Sequence, residues 1–155
     1  MTMQRHAVQI NKTIAAPPAS VYQAWLDPEL VQRWMVPGDF TARRVEIDAR
    51  PGGHFRVWHS LGGVDAGGFE CEFIELEENR RLVFRWGFVG PDRLDGPIFD
   101  SLLTLTLRET DAGSTALTLV HERLEDLARV MPDAADMVGP GWDQVLDTLA
   151  EIASV

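Results

Sequence analysis

Four histidines and one cysteine are the side chains of this chain best suited to chemistry near neutral pH. His121 stands apart by its setting. Thr115, Leu117, Leu119 and His121 alternate with Ala116, Thr118 and Val120, which puts the imidazole on the same strand face as three residues expected to point inward. A neutral imidazole at the end of an interior row can orient a ligand carbonyl or hydroxyl, or serve as general acid or base. It can equally be a core histidine bonded to a backbone carbonyl. Burial lowers its pKa unless a carboxylate lies opposite. His54 and His59 lie five residues apart in a strand pattern, so they face opposite sides and cannot share a metal. With His6 remote in sequence, no metal site is expected. Cys71 has no His or second Cys beside it and reads as a buried structural thiol. No P-loop, nucleophile elbow or dinucleotide fingerprint occurs, and no cofactor is expected. The Glu70, Glu72, Glu75, Glu77, Glu78 run reads as a solvated face and turn.

These side chains need a frame. At 155 residues and 45% apolar content, the chain is expected to form one domain (1–155) with a sizeable core. Its net charge of −10 disfavours nucleic acid and anionic membrane as partners. A single cysteine excludes an internal disulfide framework. The sequence shows no signal peptide and no apolar run of the roughly 20 residues that a membrane span needs, so a soluble cytoplasmic protein is the expectation.

The long helical pattern comes last. Trp142, Val145, Leu146, Leu149, Ile152 and Ala153 form one stripe, with Asp143, Gln144, Asp147, Thr148 and Glu151 opposite. Pro140 suits the first turn of such a helix, so the helix is expected to start there. Leu124, Leu127, Ala128 and Met131 suggest a helical turn or two before Pro132, and Asp133 to Val138 is ambiguous. Earlier, Val8, Ile10, Lys12 and Ile14 alternate as a half-buried strand. Two short helices follow between Pro17 and Trp34, with Asp27 as N-cap and Pro28 as first residue of the second.

From Thr41 the period is two. Arg43, Val45, Ile47 and Ala49 are predicted to share a face. Phe55, Val57 and His59 alternate in the next strand, and Leu61 to Gly68, with four glycines, reads as a flexible hairpin loop. Phe69 to Leu76, the Leu82–Phe84–Trp86 run and the Leu103–Leu105–Leu107 run are further strands. Gly87 to Pro97 has no periodicity and reads as a candidate rim or lid loop. Seven strands joined mostly by short turns predict an antiparallel sheet.

Several of these stretches resemble one family. Ala16-Pro17-Pro18-Ala19-Ser20-Val21-Tyr22-Gln23-Ala24-Trp25-Leu26-Asp27-Pro28, then Trp34, resembles the opening of the family named for the activator of the heat shock protein 90 ATPase. Asp48-Ala49-Arg50-Pro51-Gly52-Gly53 is similar to its D-x-R-P-G-G turn, and Arg81-Leu82-Val83-Phe84-Arg85-Trp86 to its R-L-V-[FY]-x-W strand. Ser114 to His121 matches G-T-x-L-x-L-x-H apart from Ser114 inserted after Gly113, and Gly141-Trp142 with Leu146 and Leu149 resembles the terminal G-W-x-x-x-L-x-x-L. The resemblance runs from about residue 7 to 153. It implies an α+β helix-grip fold, as in START domains and the birch-pollen allergen: a curved seven-stranded antiparallel sheet wrapped around a long C-terminal helix.

That fold often holds a cavity between sheet and helix. The candidate lining is the inward set of the strands: Phe55, Val57, Phe69, Phe73, Phe84, Trp86, Leu103, Leu105, Leu117, Leu119 and His121. The helix adds Trp142, Val145, Leu146 and Leu149, while Trp34 and Met35 could close one end. The same residues could simply fill a core, each contributing about 1.5–3 kcal/mol by burial. Three functions follow from the resemblance. The first is binding of a small hydrophobic or amphipathic ligand. The second is a polyketide cyclase or hydrolase-like reaction using His121, and the third a contact with a chaperone. An enzyme should bring two titratable groups together; only His121 is placed inside, so binding outranks catalysis. A homodimer is compatible with the sequence, and no docking patch for a chaperone is legible in it.

Overall fold

The alternating segments pair into one sheet. The computed structural model describes residues 7–90, 99–130 and 132–154. Strand β1 (Ala7–Ile14) leads into helices α1 (Pro18–Leu26) and α2 (Pro28–Trp34). Six strands follow: β2 (Thr41–Ile47), β3 (His54–Leu61), β4 (Val64–Glu77), β5 (Arg81–Val89), β6 (Phe99–Glu109) and β7 (Thr115–Glu122). Helices α3 (Glu125–Val130) and α4 (Pro132–Ala153) come last. Every pairing is antiparallel, in the order β1-β7-β6-β5-β4-β3-β2. Among the described residues, no helix is long and apolar enough to cross a membrane.

Register stacks the inward residues into rows across the strands. One row runs His121, Leu103, Phe84 and Phe73; the next runs Ser101, Trp86, Cys71, Phe55 and Ile47. These rows pack against α1, α2 and the apolar stripe of α4. The opposite face is polar. Arg56 pairs with Glu70 and Glu46, Arg85 with Glu72, and Arg44 lies over the Trp58 ring. Such exposed pairs each contribute little, but they keep that face wet and fix which side is the core.

The short helices follow their sequence signals. The Asp27 carboxylate accepts from the Glu29 N–H, and Pro28 opens α2. The Asp48–Gly53 turn docks onto β4: the Gly52 N–H donates to the Phe73 carbonyl, and the Phe73 N–H donates to the Gly53 carbonyl. A Cβ at Gly53 would lie 2.0 Å from the Asp48 carbonyl oxygen, so the backbone closes too tightly there for any side chain.

Four expectations change. Helix α4 starts at Pro132 and carries Pro140 inside it. Proline there removes one N–H from the ladder, yet the stripe continues through buried Val138, Trp142, Val145 and Leu149, and that burial holds the helix together across it. The Leu61–Gly68 stretch is mostly strand: Gly62 and Gly63, with φ of 60° and 82°, make the turn, and Gly67 and Gly68 continue in β4. Gly67 is required where β4 meets the end of β5, since its Cβ would sit 2.2 Å from the Val89 carbonyl oxygen. In β2 a bulge between Ala42 and Arg44 resets the phase, so Ala42 turns inward while Arg43 pairs outside with Asp65, and the strand ends before Ala49. Gly87 to Val89 extend β5, and Phe99 and Asp100 belong to β6. The lid expected over the remainder, 91–98, lies outside the described residues.

Gly53→Ala should therefore destabilise the fold by about 1–3 kcal/mol, the range for forcing atoms into a closed space. Urea melts at neutral pH measure it; an unchanged midpoint would show that the turn relaxes freely.

Candidate functional site

The helix stripe and the sheet rows do not meet everywhere. A cavity of about 400 Å³ remains at one end of their interface, within the size range of small-molecule sites. Phe69, Trp86 and Phe88 of β4 and β5 form one wall, with Phe69 centred 4.9 Å from Trp86 and 5.7 Å from Phe88. Met137, Val138, Pro140, Gly141, Trp142, Gln144 and Val145 of α4 form the opposite wall. Met35, Pro37, Gly38 and Phe40 close the third side. That segment is tied to the helix by the Gly38 N–H, which donates to Gln144 Oε1 at 2.9 Å. It is tied to the sheet by His59, whose Nε2–H donates to the Met35 carbonyl at 2.8 Å. Gln144 and Met137 are exposed at the mouth.

Of the candidates read from sequence, Met35, Phe69, Trp86, Trp142 and Val145 border this cavity. Phe55, Val57, Phe73, Phe84, Leu103, Leu105, Leu117, Leu119, Leu146 and Leu149 are buried in the filled part of the interface instead. Trp34 sits between α1 and α2, its Nε1 donating to the Ala24 carbonyl at 2.9 Å and its ring 4.8 Å from Trp25. Phe88 was missed because Gly87 hid the last turn of the β5 alternation. Val138 was missed because the helix was begun at Pro140; running the stripe back one turn from Trp142 would have reached it. Gly141 lay inside the expected helix but, having no side chain, adds nothing to an apolar stripe.

His121 lies behind this wall, fully buried. Trp142 Nε1–H donates to its Nδ1 at 3.0 Å. Nδ1 being the acceptor, Nε2 carries the proton and donates to Ser101 Oγ at 2.8 Å. The Ser101 hydroxyl in turn donates to the Trp86 carbonyl at 2.8 Å. The Phe88 ring stacks on the imidazole, 2° from parallel and 5.9 Å away between centres. Burial lowers the His121 pKa to about 3, so the ring is neutral throughout the physiological range. Ser101 carries no motif; its only signal is a polar residue in phase with inward Leu103, Leu105 and Leu107.

By distance, Ser101 and His121 look like a nucleophile and its base. By proton direction they are not. A base must accept the serine proton, and its other nitrogen must donate to an orienting group. Here Nε2 is already a donor, Nδ1 receives an indole N–H, and neither residue borders the cavity. Among the described residues, no three His, Cys, Asp or Glu side chains gather as a metal set.

The lowered pKa makes a stability prediction. His121 titrates near 3 folded and near 6.5 unfolded, so its contribution is complete above about pH 6.5. It is lost as pH falls toward 3, by up to about 1.4 kcal/mol per unit. His121→Phe should cost about 1–3 kcal/mol at pH 7, because the Trp142 N–H loses its acceptor, and should flatten the fall between pH 6.5 and 4. Paired urea melts at the two pH values test this; parallel slopes in both proteins would mean that the imidazole protonates in place.

A model of the family described as "Activator of Hsp90 ATPase homolog 1-like protein" matches residues 15–154. Among solved structures, protein CV1439 from Chromobacterium violaceum is similar at 28% identity and a TM-score of 0.78, covering 97% of this chain and 98% of that one. CalU16 from Micromonospora echinospora is similar at 27% identity and a TM-score of 0.64, covering 96% of this chain and 76% of that one. A protein from Arthrobacter aurescens shares the fold at a TM-score of 0.82 and 19% identity, over 99% of this chain and 89% of that one. No curated protein matches the sequence. The family match spans six of the seven strands and all four helices, and the chain therefore belongs to the Activator of Hsp90 ATPase homolog 1-like family.

Proposed function

We propose that the protein binds a small hydrophobic or amphipathic molecule in the cavity between sheet and α4. One observation carries this reading: an apolar cavity of about 400 Å³ opens beside an otherwise filled core. Apolar surface left uncovered in this way is stabilised by any apolar guest that displaces water. Among the described residues, the wall holds no Lys, Arg, His, Asp or Glu, so none of those it presents is placed to move a proton. His121, the residue on which a cyclase or hydrolase reading rests, is screened from the cavity by Phe88 and Trp142 and held as a neutral donor–acceptor link. This favours binding over catalysis.

Gly141 offers the test. A Cβ there would lie 4.0 Å from Pro37 Cβ across the cavity, an ordinary contact. Gly141→Ala should stabilise the helix by about 0.5–1 kcal/mol and leave the cavity open. Gly141→Leu should keep the fold and fill the space toward Pro37. Titration with the neutral fluorophore N-phenylnaphthylamine should show binding to wild type and to Gly141→Ala, and loss of binding in Gly141→Leu. Equal affinity in all three, or none in wild type, would sink the proposal. Native mass spectrometry of protein purified from its host then identifies the guest.

A further inference from the structure

We infer that the part of α4 ahead of Gly139, from Pro132 to Val138, is a flap that swings about Gly139-Pro140-Gly141 to admit the guest and closes over it. This rests on the binding reading above and adds how the site is entered. α4 is a 22-residue helix with a proline inside it. Pro140 has no N–H to give the carbonyl of Asp136, four residues back, and a glycine stands on each side of it. Helices bend at such places.

Packing does not call for these two glycines. Gly53 and Gly67 have no room for a side chain. A Cβ at Gly139 would instead meet Val8 Cγ1 at 3.8 Å, and one at Gly141 would meet Pro37 Cβ at 4.0 Å, both ordinary contacts. Neither glycine adopts the left-handed backbone. Alanine would fit at both and make a firmer helix. What glycine adds here is freedom to leave the helical conformation.

The ties of the helix divide at the same point. Trp142 donates to His121, Asp143 and Asp147 hold Lys12, and Gln144 accepts from Gly38. Among the described residues, the hydrogen bonds and ion pairs that bind α4 side chains to the sheet and to the Met35–Phe40 segment thus all lie beyond the Gly-Pro-Gly step. Ahead of it, buried Val138 and half-buried Ala135 pack on the core. Apolar contact of this kind parts without leaving a polar group unmet. The same segment carries cavity wall: Val138 lines the interior and Met137 is exposed at the mouth. Turning it outward opens that side while Trp142, Gln144 and Val145 stay in place. An apolar guest gives Val138 a further partner in the closed position, so binding favours closure.

Gly139→Ala tests this, because Gly139 lies outside the cavity wall. Association and release of N-phenylnaphthylamine are followed by stopped-flow fluorescence in wild type and variant. Alanine holds residue 139 in the helix, so both rates should fall by about three- to fivefold, the factor by which alanine outweighs glycine there. The Kd should stay within about twofold, since free and bound closed forms are favoured alike. Hydrogen exchange on the wild type gives a second reading that needs no variant to fold. The amides of Met137, Val138 and Gly139 should exchange about tenfold or more faster than those of Val145 to Leu149, and saturating probe should close most of that gap. Unchanged rates in a folded Gly139→Ala protein would overturn the flap. So would a change in release alone, with affinity altered to match, since that marks a contact rather than a gate. Equal protection of the two segments, or no effect of the probe on the first, would overturn it as well and leave the binding reading standing. Absence of probe binding to wild type would instead overturn the binding reading, and the flap's purpose with it.

Discussion

The hydrogen bond from the Trp142 indole to His121 is the contact on which the arrangement of helix against sheet depends. An apolar stripe alone tolerates small rotations, because dispersion is nearly indifferent to direction. An indole N–H buried in that stripe is not indifferent; it needs an acceptor. The sheet supplies Nδ1 of His121, which fixes the tautomer and obliges Nε2–H to find an acceptor in turn. Ser101 is that acceptor, and its own proton ends on the Trp86 carbonyl. The chain runs from α4 through β7 and β6 to β5 with each donor used once. Two further ties fix the helix on its flanks. Lys12 of β1 binds Asp143 and Asp147, whose hydrogen bonds raise its pKa, and Gln144 holds Gly38.

With the rotation of α4 fixed, the void has a specific cause. The sheet offers large rings at this end, Phe69, Trp86 and Phe88, while the helix facing them offers Val138, Pro140, Gly141 and Val145. Large aromatics opposite small residues could have interdigitated, as they do beneath Trp142, where the Trp25, Phe84 and Trp86 rings pack within 6.0 Å of their neighbours. Here the three-sided frame holds the layers apart. Glycine and proline are the poorest residues for a helix interior, by about 1 and 3 kcal/mol. Their presence where α4 borders the cavity is a local conflict with the helix around it, and such conflicts concentrate at sites kept for function rather than stability.

The frame was legible in the sequence because periodicity reports burial directly. Thr115 to His121 and Phe55 to His59 read as strands since each inward residue alternates with an outward one, and Asp27-Pro28 read as a helix start since cap chemistry is local. What stayed hidden was set by partners distant in sequence. Pro140 reads as a first-turn proline until Val138, two residues earlier in the same helix, is seen buried against the core. Gly67 reads as part of a loop until the end of β5 is seen passing close enough to exclude a side chain there. Likewise the inward residues were identifiable as a set, but Phe84 and Trp86, two apart on one strand, differ in whether they border the cavity. That difference lies in what the helix places opposite each, which no strand pattern contains.

The Ser101–His121 pair shows why proximity alone is a poor guide to chemistry. An oxygen and a nitrogen 2.8 Å apart fit a catalytic dyad and a structural hydrogen bond equally well. The distinction lies one bond further out, at the opposite ring nitrogen. A carboxylate there would hold Nδ1–H, leave Nε2 bare to take the serine proton, and stabilise the imidazolium that follows. An indole N–H does the reverse: it demands the Nδ1 lone pair, forces the proton onto Nε2, and would be repelled by a second proton. Desolvation drives the pKa the same way, to about 3. Placing a tryptophan where a catalytic site has an aspartate thus turns the same serine and histidine from a proton acceptor into a clamp, and the helix that the clamp holds is the one that roofs the cavity.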